Sequence, residues 1–480
     1  MAIRPLLYAV GDRQGRGMAL QTADHKARTG AQLPTAASPE RAHSPALTLL
    51  AALLGFFLIT LDVSVVNVAL PSMADSLGAG MTGLQWVVDS YTLALAALML
   101  STGAFADRIG ATKAYGIGVA LFTAASVACG LAPDLATLTG ARVLQGIGAA
   151  IVLPASLALV RRAFPDPVRR ARAVAAWAAG GSAATAFGPV AGGALTTAWD
   201  WRGIFFINVP FGLLALALLL RAPRFERRRT PLDLPGQISA TVALTAVAFA
   251  LIERGTVGVA AAVVAVLAAV VFVRVERRQE HPVVPLGLFR DRTVAVMVAT
   301  GAAVSVAFYG IVFVFSLFFQ QVQGRSALTA GLMFLPMTAL IAASNIVAGK
   351  LAGRYGPRLP MLIGQPLAVL GLLLLLFVGE DSSTAFLSLI MMPLAIGSAL
   401  TVPPLTAAIL DAVPAERAGL AAGVLNSARQ VAGALSVAGF GVLISGTFVP
   451  GLHASVLIAA AFLAATATAT ALLRSARVDG

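Results

Sequence analysis

Charge is what this chain has least of. Only 11% of its 480 residues are Asp, Glu, Lys or Arg, against roughly 25% in soluble domains. With 58% hydrophobic residues and a mean hydropathy of +0.88, that deficit excludes a water-soluble globular protein and implies an all-α integral membrane chain. Cysteine is almost missing too: Cys129 stands alone in an apolar run, so no intrachain disulfide can form. The four histidines, His25, His43, His281 and His453, never pair at i, i+4, and no GxxxxGK[ST] or GxSxG pattern occurs. These gaps argue against a metal site, an ATP-driven pump and an intramembrane hydrolase, so no enzyme and no cofactor is expected. The net charge is +13, from 31 Arg and 3 Lys against 21 acids. Nucleic-acid binding would need those cations on one soluble face. They sit instead in short breaks between apolar runs, so the expected partners are the lipid bilayer and no nucleic acid.

What the chain does contain is apolar runs, each near the roughly 20 residues that span a bilayer. Fourteen are readable: 47–70, 84–105, 113–132, 136–159, 172–195, 204–221, 235–253, 256–273, 293–319, 328–349, 359–378, 384–408, 418–446 and 452–473. Before them, residues 1–45 are polar and read as a disordered tail with no cleavable signal. Of the 34 Lys and Arg, 29 fall in the tail, the even-numbered breaks and the C-terminus. Arg202, Arg254 and Arg325 alone occupy the odd-numbered breaks, and Arg142 and Arg429 lie within runs. By the positive-inside rule both termini are cytoplasmic and the number of spans is even.

The segment Gly103-Ala-Phe-Ala-Asp-Arg-Ile-Gly110 after the second run is echoed by Gly349-Lys-Leu-Ala-Gly-Arg-Tyr-Gly356 after the tenth, 246 residues on. The repeat divides the chain into a tail (1–45), a six-helix half (46–221), two inserted helices with basic linkers (222–292), a second six-helix half (293–473) and a C-terminus (474–480).

Within the first half only Asp62 and Asp89 are acids at membrane depth. A carboxylate there costs roughly 2.5–3.5 kcal/mol on insertion scales and marks a site until shown otherwise. Arg142, with Gln145 and Gly146 on its face, needs an acid, and Asp62 and Asp89 are the two candidates. Moving a cation relative to a carboxylate changes its proton affinity, so of the expected proton-coupling residues Asp62 is the carrier, Arg142 its modulator and Asp89 the rival for the same proton. The bland alternative is a static ion pair. Asn67 follows Asp62 on the first run. The second half has no deep acid, and its polar residues include Gln320, Asn426, Arg429 and Gln430. Phe308, Phe315 and Phe319 align on the ninth run as an aromatic wall suited to flat, lipophilic, often cationic ligands. With Asn67 and Gln145 these make up the expected substrate cavity. Asp107-Arg108 places a charge pair at a membrane edge, where an anion can face a helix end of the other half and latch one conformation. Gly103, Gly110 and Lys113 complete that loop. Gly181, Gly188 and Gly192 give a small-residue face beside Pro189, a packing seam with a kink.

Taken together, Leu61–Pro71, Gly103–Lys113, Arg142–Gly148, Gly188–Gly193 and Trp201–Pro210 resemble the major facilitator superfamily. Within it they resemble the fourteen-span drug:proton antiporters of EmrB/QacA type. The loop departs from the family pattern at Ala111 and Thr112, where a basic pair is usual. The resemblance implies two rocking six-helix halves with two inserted central helices, fourteen transmembrane helices in all, acting as a monomer in the cytoplasmic (inner) membrane. It also implies proton-driven efflux of small molecules, with the Gly181–Gly192 stretch as the antiporter motif that carries the export direction. The alternatives are a dedicated exporter of one metabolite or self-made antibiotic, and a non-transporting receptor or scaffold.

Overall fold

The computed structural model describes residues 44–222, 233–253, 255–279, 282, 284–414 and 417–473. The expected disordered tail, most of the basic linker after residue 222 and the C-terminus from 474 lie outside the described residues. Among those described there is helix and turn and no strand. α1 runs over Pro45–Leu77, α2 over Met81–Ile109, α3 over Ala111–Gly130, α4 over Leu135–Ala163 and α5 over Pro167–Ala198. α6, Gly203–Leu219, is interrupted at Ile207. α7 (Leu234–Ile252) and α8 (Gly255–Arg278) form a hairpin. α9 (Arg292–Leu317) ends in a π turn at Phe318–Val322, and α10 spans Ala327–Tyr355. α11 spans Arg358–Leu374, and α12 spans Thr384–Asp411 with a break at Met391. α13 (Ala418–Ile444) and α14 (Phe448–Leu472) close the order.

Local chemistry sets the helix starts. Asp134, Asp166, Asp233, Asp291, Ser326 and Ser383 each accept a hydrogen bond from a first-turn backbone N–H, satisfying a donor with no partner inside the helix. Proline fills the first turn of α1, α5 and α7, where its missing N–H costs nothing.

Eleven of these helices are long and apolar enough to cross a membrane, and α2, bent by 62° near residue 100, makes a twelfth if counted as one span. The expected fourteen are not reached on this measure. α6 is too short, and α5 carries Arg169, Arg170 and Arg172 in its first turns and many small residues after them.

Packing partners repeat with a step of eight helices. In the first set α1 packs on α4, α5 and α6, and α4 packs on α2 and α3; in the second α9 packs on α12, α13 and α14, and α12 packs on α10 and α11. The sets meet through α5 with α10 and α2 with α13, contacts that the same correspondence exchanges. Gly110 (φ 93°) and Gly356 (φ 79°) make the equivalent turns α2–α3 and α10–α11 in a region that only glycine enters without strain. The repeat read in the sequence is therefore a repeat of structure. α7 lies against both α2 and α13. Gln237 bonds Ala97 O and Ser101 at one end of α7, and beyond its other end Trp86 Nε1 donates to Glu253 at 3.0 Å.

Calling the face where α1 begins proximal, the bonds joining the two sets lie at mid-height or toward the distal face. Ser316 Oγ donates to Asn67 O at 2.6 Å, Gln320 Nε2 to Val68 O at 2.9 Å and Gln85 Nε2 to Ala438 O at 2.5 Å. A Cβ at Gly331 of α10 would collide with Pro189 O of α5, so the absence of a side chain lets those backbones touch. The molecule is held shut distally.

Candidate functional site

Asp62, just past the middle of α1, is fully buried and forms an ion pair with Arg142 of α4, itself 1% exposed. The pair is surrounded by a closed polar network. Gln145 Nε2 donates to Asp62 Oδ1 at 2.8 Å and Asn208 Nδ2 donates to the same oxygen at 3.0 Å. Arg142 Nη1 also donates to Gln145 Oε1 at 2.9 Å, and its Nε reaches Val87 O of α2 at 3.1 Å. Ser126 accepts from Asn208 at 3.0 Å and donates to Phe205 O at 2.8 Å. The Tyr91 ring covers the guanidinium, its centroid 4.2 Å from Arg142 Cζ. One ion pair thus fastens α1, α2, α3, α4 and α6. Removing one member of such a pair costs about 3–5 kcal/mol, because it leaves a charge without its partner.

The other deep acid is placed quite differently. Asp89 of α2 is fully buried, yet neither carboxylate oxygen accepts a hydrogen bond from any described residue. Its helix neighbours Gln85 and Leu93 face α13, which sets Asp89 beside the junction of the two helix sets. The sequence offered Arg142 two acids, and the structure gives it Asp62 and leaves Asp89 with none.

Between α1, α2, α9 and α13 lies a small cavity of roughly 20 Å³, with Asn67, Tyr91, Thr92, Tyr309 and Gln430 as its polar lining. Two of the expected cavity residues, Asn67 and Gln430, are therefore brought together. Gln145 sits behind Tyr91 in the ion-pair network, and Gln320 is used in the distal bond to α1. Phe315 and Phe319 differ from expectation. Both are wholly buried, packed with Phe318 and Phe334 at centroid distances of 5.3–6.2 Å, and neither lines the cavity. Tyr309 lines it instead, with the partly buried Phe308 edge-on to it at 5.5 Å. On α13, Asn426 lies one turn proximal to Gln430, and Arg429 packs its aliphatic stem beside Gly301 of α9, with Nε unpartnered.

The expected latch residues stand at the α2–α3 turn, and their ion pair among the described residues lies within one helix set. Asp107 bonds Arg162 of α4 at 3.2 Å, within its own helix set, and Gly103 has open space where a side chain would stand. Arg108 and Lys113 are exposed beside the Gly110 turn. The small-residue face of α5 packs on α1: a Cβ at Gly181, Gly188 or Gly192 would meet Phe56, Ser64 or Val65. The neighbouring Pro189 carbonyl turns toward α10.

Sequence reasoning passed over Asn208, Ser126 and Tyr91. Asn208 was legible as an amide inside an apolar run, whereas Ser126 and Tyr91 carried no such signal.

Comparison with known proteins agrees with this architecture. The chain is 43% identical over 412 residues to the multidrug resistance protein Stp of Mycobacterium tuberculosis, covering 83% of this chain and 75% of that protein. It is 37% identical over 402 residues to the methylenomycin A resistance protein of Streptomyces coelicolor, covering 82% and 84%. The crystal structure of a bacterial homologue of the human lysosomal transporter Spinster, inward-facing and occupied, shares the fold. Its TM-score is 0.62 at 18% identity, covering 89% of this chain and 96% of that one. Residues 52–437 match the Major Facilitator Superfamily. With its eightfold helix offset, its paired glycine turns and its buried acid on α1, the chain belongs to that superfamily.

Proposed function

We propose that this protein exchanges protons for lipophilic small molecules, exporting drugs by alternating access. It is an efflux transporter of the superfamily and not an enzyme; its relatives carry the names multidrug resistance protein and drug efflux pump. The proton coupling is our own reading, and the contrast between the two deep acids carries it. Asp62 has every oxygen committed to donors, so protonating it would break a network that fastens five helices. Asp89 has no such commitments. A bare charge in that position would cost several kcal/mol, so it is tolerated only with its proton on. When the α2–α13 junction opens to water that proton can leave. We therefore assign the exchanged proton to Asp89 and the fixed pair to Asp62 and Arg142.

The rest of the reading is that the protein has fourteen spans, α1–α14, in the cytoplasmic membrane, with both termini inside, and acts as a monomer. Residues 46–221 and 293–473 are the rocking halves, and 222–292 is the insertion. The distribution of Lys and Arg supports the orientation, and the helix offset of eight supports the halves. On this orientation the distal face, where α5 meets α10 most closely, is external. The experiment is uptake of a fluorescent lipophilic drug into everted vesicles. Uptake should follow an imposed proton gradient and collapse with a protonophore, and uptake indifferent to the gradient would refute the exchange.

A dedicated exporter of one antibiotic is the second reading, favoured by relatives named for methylenomycin A resistance and for tetracenomycin C resistance and export. Resistance confined to one chemical class would select it.

A further inference from the structure

The seam between α2 and α13 is closed by a side chain, whereas the matching seam between α10 and α5 is closed by backbone. Gln85 of α2 is 1% exposed, and its Nε2 donates to Ala438 O of α13. The amide lies in a recess that Gly441 leaves open, where a Cβ would collide with the same nitrogen. Moving 246 residues on, the offset that relates Gly103 to Gly349 and Gly110 to Gly356, brings Gln85 to Gly331. Gly331 also meets a carbonyl of the facing helix, Pro189 O, but with no side chain of its own. The bare contact has nothing to release, and the amide has a hydrogen bond that can be given up. Ala438 O lies inside α13 and keeps its helical partner, so parting leaves only the Gln85 amide to be met by water.

The next residue ties the same end of α2 to the α7–α8 hairpin. Trp86 Nε1 donates to Glu253 at 3.0 Å, and its ring packs on Phe249 of α7 at a centroid distance of 4.3 Å. At the opposite end of α7, Gln237 bonds Ala97 O and Ser101 of α2. Polar contacts thus fasten α7 to α2 at both ends. Its contact with α13 is apolar, with Leu244, Ala248 and Ile252 against Ala434 and Ala438. Such a surface has no directional bond to break when the two helices slide.

We propose that Gln85 is the clasp of the distal side: opening begins when its amide leaves the Gly441 recess, and α7 then travels with α2 and slides over α13. Gln85 is a positioning residue that acts by holding α13 to α2. Asp89 follows one turn later on the same face of α2, so the parting that frees Gln85 also separates the helices at the acid. This deepens the exchange reading and rests on it for what the opening serves, whereas its test reads distances and needs no gradient.

The test is spin-label distance measurement on the full chain in nanodiscs, with the buried Cys129 left in place. Labels at Thr197, at the exposed end of α5, and at Arg325, beside the start of α10, span the seam that Gln85 does not touch. Gln85→Ala should raise the ratio of long to short separations about tenfold, the scale of one lost hydrogen bond. Gly441→Ala, which fills the recess, should raise it similarly, and should add nothing in the Gln85→Ala background, where no amide is left to displace. Labels at Thr82 of α2 and Thr256, just past the α7–α8 turn, should keep one separation in every variant, while Thr256 and Ser445 should show two. A ratio unchanged by both Gln85→Ala and Gly441→Ala, full additivity of the two, or a second separation between Thr82 and Thr256 would overturn the proposal. A lowered thermal transition with the Thr197–Arg325 separations unmoved would make Gln85 a packing residue only, and would overturn it likewise.

Discussion

At the scale of single residues, two aspartates of one helix set have opposite surroundings, and their variants should fail in opposite ways. Asp62→Ala leaves the Arg142 guanidinium buried with no counter-charge, so we expect a loss of about 3–5 kcal/mol and little folded protein, read by thermal unfolding in detergent. The double substitution Asp62→Asn with Arg142→Gln removes both charges and should recover much of that loss. Equal damage in the single and double variants would mean that the pair is not what holds these helices. Tyr91 gives a second residue-scale prediction. Tyr91→Phe keeps the ring over Arg142 and should unfold at the wild-type temperature, whereas Tyr91→Ala removes that cover and should unfold earlier. Asp62, Asp89 and Arg142 were visible in the sequence because charge is rare in apolar runs. Which acid paired with Arg142 was not visible, since it depends on how α1, α2 and α4 cross.

At the scale of elements, α5 decides how the distal face closes. It presents glycine to α1 and the Pro189 carbonyl to α10, where Gly331 has no side chain to intervene. Gly331→Val inserts a side chain into that contact and should hold the distal side open. Introduced cysteines at positions 193 and 328 then cross-link less readily than in the parent, in a background whose single native Cys129 is buried. Unchanged cross-linking would mean that this contact does not govern closure. The small-residue face of α5 was legible from spacing alone, because helical periodicity places residues 181, 188 and 192 together. The aromatic wall of α9 was misread for a related reason. Spacing showed that Phe308, Phe315 and Phe319 share a face, but it carries no information on which neighbour that face meets. It met other aromatic side chains, and Tyr309 took the cavity.

At the scale of the whole molecule, two packing sets related by a step of eight helices are joined at α5–α10 and α2–α13, with α7 across the second junction. Asp89 lies beside that junction, and on the proposed mechanism opening it toward water lets the acid's proton leave. A reporter placed in 223–232 should map to the cytoplasm and one at the α7–α8 turn to the outside. Both on one side would remove the inserted pair from the count of spans. The repeat was readable because Gly110 and Gly356 need a backbone region that glycine alone occupies freely, so the residue type survives in both copies. The pairing of Asp107 with Arg162 of its own helix set was not readable, since spacing along the chain does not say which helix that loop meets. The most direct test of the account is proton-driven accumulation in proteoliposomes carrying wild-type protein or Asp89→Asn. A pH difference of one unit supplies about 1.4 kcal/mol per proton, enough for a tenfold substrate ratio. Wild type should approach that ratio and Asp89→Asn should stay at unity while still exchanging labelled for unlabelled substrate; accumulation by Asp89→Asn equal to wild type would contradict the assignment of the proton.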